Sequence, residues 1–319
     1  MTTKMKTKKI FRSFEIITEF RNIAHSDKNI FLNIPKIASL FFEYQFLSYY
    51  FGGVPKWRVM LRKLISKKRI VPNYVMTGPI KSGSSDLVSH LLMHPNIMSP
   101  LAKEIDSLNA KQWQSYFPTI KQKQALEAKL DSKVSCGYLE PALHDIQLIN
   151  KLYDLNPNSK IVITLRDPID RAFSQWKWEA FLTGKDYINN PSFNNFDDYI
   201  KQSISLFPSV PMQTVCGFPV MQTGIYYQAV KLWMDKFGKD NVLVLDIADY
   251  FKNRKPVLKE IQTFLDLPDF DIQEYQKIAN ENPLKVSPAQ AETNALLSEF
   301  YRPYNKQLFD LIGKQYQWK

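Results

Sequence analysis

Short apolar runs, each followed by a polar turn, recur along the chain after Pro72. The runs 74–77, 161–165 and 242–245 are continuous rather than alternating in polarity, which is typical of strands buried on both faces. Other segments carry apolar residues three and four positions apart, and this spacing predicts helices. The predicted helices begin at about Ser85 and at Pro168, and cover about 223–237, 256–265 and 289–313.

This alternation of buried strands and helices predicts the fold class. Parallel strands need long crossover connections, and helices usually supply them on both faces of the sheet. We therefore expect an α/β, three-layer architecture with a central parallel sheet. At the start of the helix after 161–165, Asp167 is placed to cap the first turn and Pro168 occupies the first helical position.

The first 69 residues follow a different pattern. The stretch 37–54 is rich in aromatic residues, and 56–69 holds seven basic residues, no acidic ones and several spaced apolar ones. The second stretch predicts a basic amphipathic helix, which either packs on the domain with its charges in solvent or contacts a membrane surface. We therefore divide the chain into a helical N-terminal extension, 1–69, and a domain, 70–319.

The distribution of charge supports the same division. The chain of 319 residues has a net charge of +11, and residues 1–69 hold 15 Lys and Arg against 4 Asp and Glu. Residues 70–319 hold 27 of each and are neutral overall. Any inference from basicity to nucleic acid is therefore confined to the extension. The aromatic stretch is too short and too polar to predict a transmembrane helix.

The polar turn after the first strand carries the first candidate chemistry. It consists of Gly78-Pro79-Ile80-Lys81-Ser82-Gly83-Ser84-Ser85. A loop between a strand and a helix presents backbone N–H groups and a helix N-terminus to an anion, and Lys81 and the serines add a charge and hydroxyl donors. The loop departs from the P-loop pattern G-x-x-x-x-G-K-[ST], because Lys81 precedes Gly83. A serine-rich turn that caps a helix is the alternative.

The second candidate follows the strand 161–165. Arg166 stands at the carboxyl end of this strand, the edge where ligands bind in open α/β sheets. Ser174 lies seven residues after Asp167, so it can share a helix face with the start of the helix. An arginine at a strand end together with a serine hydroxyl suits a terminal phosphate. The alternative is a surface pair of Arg166 and Asp167.

Together, the two loops resemble those of the PAPS-dependent sulfotransferases, and among these the heparan-sulfate type. The resemblance covers about 72–318 and is most specific at 161–174, which ends Arg-Asp-Pro-Ile-Asp-Arg-Ala-Phe-Ser. The loop 78–85, followed by His94-Pro95-Asn96, is similar to the family's first loop. Further agreement comes from Gly224-Ile225-Tyr226, which is expected to open a helix, and from the run 299–305.

The resemblance implies a donor, 3′-phosphoadenosine 5′-phosphosulfate (PAPS), a product, 3′-phosphoadenosine 5′-phosphate (PAP), and no metal. It implies that Lys81 contacts the sulfuryl group and the bridging oxygen. Arg166 and Ser174 would hold the 3′-phosphate. The 5′-phosphate would be held by four consecutive residues of the first loop: Ser82, Gly83, Ser84 and Ser85.

Two positions depart from the family pattern. Lys285, in Leu-Lys-Val-Ser-Pro, stands where the family has a Lys-Gly-Arg loop over the cofactor, but the Gly and the Arg are absent. The heparan type also carries a Lys-Glu-x-His element whose Glu takes the acceptor proton, and here the run is Lys103-Glu104-Ile105-Asp106. We expect Glu104 to be the base, and the alternatives are Asp106, Glu140 and His144.

Other residues with reactive side chains are expected to be structural. His90 and His94 have the spacing of a zinc pair, but Leu91 stands where a zinc-protease helix carries Glu. Cys136 and Cys216 lie in no recognised catalytic signature and are expected to be buried. Two cysteines and the lack of a signal-peptide pattern favour a reducing compartment, and we expect a cytoplasmic enzyme.

The segment 183–222 is the candidate for binding the acceptor. It lacks clear periodicity, and long irregular segments are often lids or binding loops. It holds two basic residues against three aspartates, whereas a polyanionic chain needs a basic track. We therefore expect a small neutral or cationic acceptor, such as a secondary metabolite, an alkaloid or a simple saccharide, and no nucleic acid. The alternatives are a P-loop-type nucleotide kinase, and a nucleic-acid-binding or membrane-binding protein that uses the basic extension.

Overall fold

The computed structural model describes residues 3–24, 33–65, 68–105, 113–183, 195–209, 219–272 and 285–319. Within these ranges, five strands form one parallel sheet with the order β2-β3-β1-β4-β5. The strands are β1 (Tyr74–Thr77), β2 (Ile97–Met98), β3 (Ser135–Glu140), β4 (Lys160–Leu165) and β5 (Val242–Asp246).

Helices account for most of the remaining described residues. Three lie in the extension: α1 (Thr3–Ala24), α2 (Ile34–Gln45) and α3 (Lys56–Ile65). The others are α4 (Ser84–Leu91), α5 (Ile120–Leu130), α6 (Ile146–Leu155), α7 (Pro168–Thr183), α8 (Phe196–Ser205), α9 (Val220–Thr223), α10 (Tyr227–Phe237), α11 (Ile247–Lys252), α12 (Arg254–Phe264) and α13 (Ala291–Ile312). No helix of the described residues combines the length and apolarity needed to cross a membrane.

The predicted three-layer α/β architecture is confirmed. Side chains of β1 alternate between the two faces of the sheet, as the pleat requires. Met76 packs in an apolar cluster with residues of α4, α11 and α12, whereas Val75 packs in a second cluster with residues of α6 and α10. The three predicted strands correspond to β1, β4 and β5.

β2 and β3 were not predicted from the sequence. β2 is only two residues long, and β3 begins with Ser, Cys and Gly, which do not form an apolar run. Gly137 is nevertheless required in β3, because a Cβ atom there would lie 2.3 Å from the carbonyl oxygen of Tyr74 on β1. Two strands of the sheet are therefore determined by pairing with their neighbours more than by local sequence.

Two predictions about the segment 183–237 need correction. The helix predicted over about 223–237 is present as α10, but it begins only at Tyr227; Gly224, where a Cβ atom would lie 2.6 Å from the hydroxyl of Tyr301, separates it from α9. The segment 183–222 also contains a regular helix, α8, whose buried Phe196, Tyr199 and Ser203 follow helical spacing. Lys185 and Cys216 lie outside the described residues.

The extension packs on the domain through the residues between α2 and α3. Tyr50 forms a parallel bridge with Ala102: its N–H donates to the carbonyl oxygen of Leu101, and its own carbonyl oxygen accepts from the N–H of Lys103. Tyr49 and Phe51 are buried in the same apolar cluster as Met76. The predicted helix at 56–69 is present as α3, and the division of the chain at residue 69 remains a prediction.

The close approach of β1 and β3 gives a test of the sheet. We expect Gly137→Ala to lower the free energy of unfolding by at least about 2 kcal/mol, because backbone atoms of Tyr74 have no room to yield. Gly53→Ala is the matched control, since nothing lies within 4 Å of a Cβ atom there, and it should change the value by less than about 0.5 kcal/mol. Urea unfolding measures both, and equal effects would contradict this packing.

Candidate active site

Three strands deliver candidate residues to one edge of the sheet. In the parallel register, Thr77 at the end of β1 pairs with Glu140 of β3 and with Ile163 of β4. The loop after β1, the end of β3 and Arg166 after β4 therefore meet at the carboxyl edge, where ligands bind in open α/β folds. Topology alone thus brings the two candidate loops together.

The first loop is pressed against β4. A Cβ atom on Gly78 would lie 2.4 Å from the carbonyl oxygen of Thr164, so only glycine fits at this position. The buried hydroxyl of Ser82 lies 3.0 Å from the hydroxyl of Thr164, and either can donate. Ser82 is therefore buried as an anchor of the loop, and its side chain is engaged with the sheet.

The loop backbone takes the form of an anion cradle. Lys81 and Gly83 both adopt left-handed conformations, with φ of 67° and 73°. Where left-handed and right-handed residues alternate, successive backbone N–H groups point into one concave site, called a nest, that binds anions. α4 starts directly afterwards at Ser84, and no side chain caps its N-terminus. The first N–H groups of a helix have no intrahelical partner, so this terminus favours an anion.

Arg166 connects the two candidate loops. Its Nη1 donates to the carbonyl oxygen of Lys81 over 3.4 Å, and its own carbonyl oxygen accepts from the hydroxyl of Tyr226 over 2.9 Å. Burial lowers the pKa of the Arg166 guanidinium, and the nearby carboxylate of Asp170 partly opposes this shift. Arginine nevertheless keeps its charge in proteins, so a largely buried cation stands between the loops.

α7 places Ser174 on the side of the first loop. The ammonium nitrogen of Lys81 lies 5.4 Å from the ring centroid of Trp178, a cation–π contact. Trp178 follows Ser174 by four residues, and residues at this spacing share a helix face. The sequence analysis did not single out Trp178, although its spacing from Ser174 was a signal that could have identified it.

Lys103 is a second residue that the sequence analysis missed. Its ammonium nitrogen donates to the hydroxyl of Ser85 over 3.0 Å and forms an ion pair with the carboxylate of Glu104. It also lies 5.8 Å from the ring centroid of Phe51. The predicted base, Glu104, is partly exposed and is thus linked to the first loop through Lys103. The signal was present, because Lys103 belongs to the Lys-Glu pair that identified Glu104.

The alternative bases occupy different positions. Glu140 ends β3 at the carboxyl edge, whereas Asp106 lies outside the described residues. His144 is partly buried, and its Nε2 lies 3.4 Å from the carbonyl oxygen of Thr223. Burial lowers the pKa of His144 to about 4, so the ring is neutral at neutral pH. Lys285 is exposed, and the adjacent Val286 packs against the apolar cluster that α7 shares with α8 and α13.

His90 in α4 and His94 just after it both contact other residues of the protein, in agreement with their predicted structural role. A ring nitrogen of His90 lies 3.0 Å from the hydroxyl of Tyr250, which donates to Asp86 over 2.8 Å. His94 lies 2.9 Å from the carbonyl oxygen of Pro268. Cys136 is buried as predicted, and burial raises the pKa of its thiol to about 12. Among the described residues, no group of three or more His, Cys, Asp or Glu could hold a metal ion.

Comparison with known proteins identifies the family. The family model described as "Sulfotransferase domain" matches residues 72–308. The chain belongs to this sulfotransferase family. The resemblance inferred from the two loops is therefore confirmed, and the alternative of a nucleotide kinase is not favoured.

Curated sulfotransferases share limited identity with the chain. Human "Carbohydrate sulfotransferase 15" is 21% identical over an alignment that covers 79% of this chain and 55% of the relative. "Membrane-associated sulfotransferase kil1" of Dictyostelium discoideum is also 21% identical, with 78% of this chain and 67% of the relative covered. The chain thus spans about half the length of the human sulfotransferase that it matches.

A solved structure supports the fold. A sulfotransferase from Alicyclobacillus acidocaldarius superposes with a TM-score of 0.54 at 20% identity, covering 77% of this chain and 98% of that chain. At this identity the likeness concerns the fold. The roles of individual residues in this sulfotransferase remain predictions that depend on the geometry described above.

The partly buried His144 gives a pH prediction. Its pKa is lowered from 6.5 to about 4 in the folded chain, so the unfolded chain binds more protons between these values. The free energy of unfolding should therefore fall as pH drops from 6.5 towards 4, by about 1 kcal/mol per pH unit from this group. In His144→Gln the slope, measured by urea unfolding across this range, should be shallower; an unchanged slope would contradict the assignment.

Proposed function

We propose that this protein is an enzyme that transfers a sulfuryl group from PAPS to a hydroxyl or amine of a small acceptor and releases PAP. The observation that carries the proposal is the contact between Arg166 and the carbonyl oxygen of Lys81. It joins two anion-binding loops at one edge of the sheet. A ligand with a phosphosulfate at one end and a phosphate at the other matches this pair of loops.

The residues present fit such a donor. The left-handed Lys81 and Gly83 and the N-terminus of α4 form a cradle for the 5′-phosphate, in which a Cβ atom on Gly83 would lie 2.6 Å from Ile247. Ser84 and Ser85 open α4 within the same cradle. Arg166 and Ser174 stand beyond it at the end of β4 and on α7, and we assign them to the 3′-phosphate. Lys285 remains a proposed further contact.

The proposed chemistry needs charge stabilisation and one proton transfer. When bound, PAPS supplies the sulfuryl group. The ammonium of Lys81 and the N–H groups of the cradle stabilise the negative charge that develops on the departing phosphate oxygen. A carboxylate oxygen of Glu104 takes the proton of the acceptor hydroxyl or amine, and Lys103 orients that carboxylate through their ion pair. Residues of this chain thus supply both the charge stabilisation and the base.

The acceptor that we propose is small and neutral or cationic. Within the segment 183–222, the described helix α8 carries Asp197 and Asp198 in its first turn and Lys201 after them, so it offers no cationic track over its own length. Among a secondary metabolite, an alkaloid and a simple saccharide, the name of the human relative favours the saccharide. We further propose a cytoplasmic setting, which rests on the sequence pattern alone.

The donor site can be tested by calorimetric titration with PAP. We expect micromolar or tighter binding to the full chain, and at least about tenfold weaker binding in Lys81→Ala and in Arg166→Ala, because each removes a charged hydrogen-bond donor. Lys231→Ala is the matched control, since this exposed lysine pairs with Asp235 on α10 and should leave the affinity unchanged. The lack of binding by the parent chain at micromolar concentrations would overturn the proposal.

The assignment of the base can be tested separately. Glu104→Gln should lower kcat by about 10²- to 10⁴-fold with PAP affinity unchanged, since the amide cannot take a proton. Glu140→Gln is the matched comparison, because its carboxylate ends β3 at the same edge of the sheet. Radiolabelled sulfate transfer to a panel of small acceptors and to a heparan-type polymer provides the measurement. A large loss in Glu140→Gln alone would move the role to Glu140, and equal rates on the polymer would contradict the small acceptor.

A further inference from the structure

α3 turns its arginines towards the rest of the protein and most of its apolar side chains towards solvent, the reverse of an ordinary amphipathic helix. Its arginines turn inwards: Arg58 donates to the hydroxyl of Tyr50 over 2.8 Å and also to the carbonyl oxygen of Leu47, and Arg62 Nε donates to the carbonyl oxygen of Ser115 over 2.6 Å. Val59 is the buried apolar residue of the helix. The domain side of α3 is therefore held largely by guanidinium groups.

The apolar side chains of α3 turn outwards instead. Leu64 is 83% exposed and Ile65 is 71% exposed, and Trp57, Met60 and Leu61 are exposed as well. Trp57, Leu61 and Leu64 are separated by four and three residues, so they form one stripe along the helix. A helix that turns arginine towards the protein and leucine towards solvent leaves its apolar surface without a cover among the described residues.

α2 extends this apolar surface. Phe42 and Phe46 are 68% and 62% exposed, their rings lie 5.3 Å apart, and the ring of Phe46 lies 6.1 Å from that of Trp57. An open groove of about 640 Å³ runs beside them and is lined by Phe41 and Trp57 among others. We call this surface the aromatic face. It consists of Phe41, Phe42, Phe46, Trp57, Met60, Leu61, Leu64 and Ile65.

Lysines flank the α3 part of the aromatic face, and Glu43, which lies on α2 next to Phe42, forms an ion pair with Arg12. No Asp or Glu occurs between Glu43 and Asp86, and this stretch contains eight Lys and Arg. Lys56, Lys63 and Lys68 are exposed. Contiguous apolar patches on a soluble surface mark interaction sites, and aromatic and leucine residues flanked by lysine fit the boundary between headgroups and acyl chains of an anionic bilayer.

We propose that the aromatic face binds the surface of a membrane containing anionic phospholipid. Trp57, Leu64 and Ile65 enter the interface, and Lys56 and Lys63 contact the phosphate and carboxylate groups of the lipids. A second copy of this chain fits the face less well, because it would bring lysines against lysines. A nucleic acid would engage the lysines but leave the apolar stripe exposed.

Vesicle sedimentation with the full chain tests the proposal. We expect binding to phosphatidylcholine vesicles that contain phosphatidylserine, and much weaker binding to phosphatidylcholine alone. Leu64→Ser should weaken binding about tenfold, and Lys63→Gln about fivefold. The matched controls are Leu296→Ser, an exposed leucine on α13, and Lys239→Gln, an exposed lysine before β5, and neither should change the affinity.

Three results would overturn the proposal. These are no binding to either vesicle, binding that Leu64→Ser and Leu296→Ser weaken equally, and a dimer in sedimentation velocity that Leu64→Ser abolishes without any vesicle binding by the parent chain. Melting temperatures and PAP titration of each variant show whether the fold and donor site are intact. If a variant is destabilised, hydrogen exchange of the parent chain decides instead: vesicles containing phosphatidylserine should slow exchange in α3, and unchanged exchange there would contradict the proposal.

Discussion

The close approach of Gly78 to β4 is the constraint on which the candidate site depends. β1 and β4 are neighbours, so the loop that leaves β1 must pass over Thr164 before it can turn into α4. A side chain at position 78 would lift the loop from the sheet and break the contact between the hydroxyls of Ser82 and Thr164. The carbonyl oxygen of Lys81 would then move away from Arg166. The absence of a Cβ atom at Gly78 thus keeps the two candidate anion-binding loops in contact through Lys81 and Arg166.

Buried polar networks hold the helices that carry these loops. Beneath α4, the carboxylate of Asp86 accepts from Tyr250 and lies 3.4 Å from Arg254, so residues of α11 and α12 fix the helix from behind. Along α7, the fully buried Arg171 donates to Gln175 and to the carbonyl oxygen of Val220, both over 2.6 Å. Burying such groups is costly unless each has partners with good geometry, so they favour one arrangement of the helices over others.

The sequence could predict the parts of this site that are local. Strand, loop and helix follow one another at 74–91, and Asp167 with Pro168 determines the start of α7, where the Oδ1 of Asp167 accepts from the N–H of Ile169. Residues whose role depends on distant partners could not be found in the same way. β3 and the break at Gly224 arise from Tyr74 and Tyr301, which lie more than 60 residues away in the chain. The role of Lys103 depends on its contact with Ser85, which lies 18 residues away in the chain. The orientation of α3 depends on hydrogen bonds from its arginines to the carbonyl oxygens of Ser115 and Leu47.

The pairing of Tyr50 with the segment around Ala102 has a consequence for what counts as a unit of this protein. The family model matches from residue 72, yet Tyr49 and Phe51 fill the core beside α4, and the N–H of Phe51 donates to Ser13 on α1. The backbone at Lys103, next to Glu104, is therefore hydrogen-bonded to Tyr50, a residue outside the matched range. The folded unit therefore extends beyond the part that the family model matches, and the candidate base Glu104 follows directly on the backbone that joins the two.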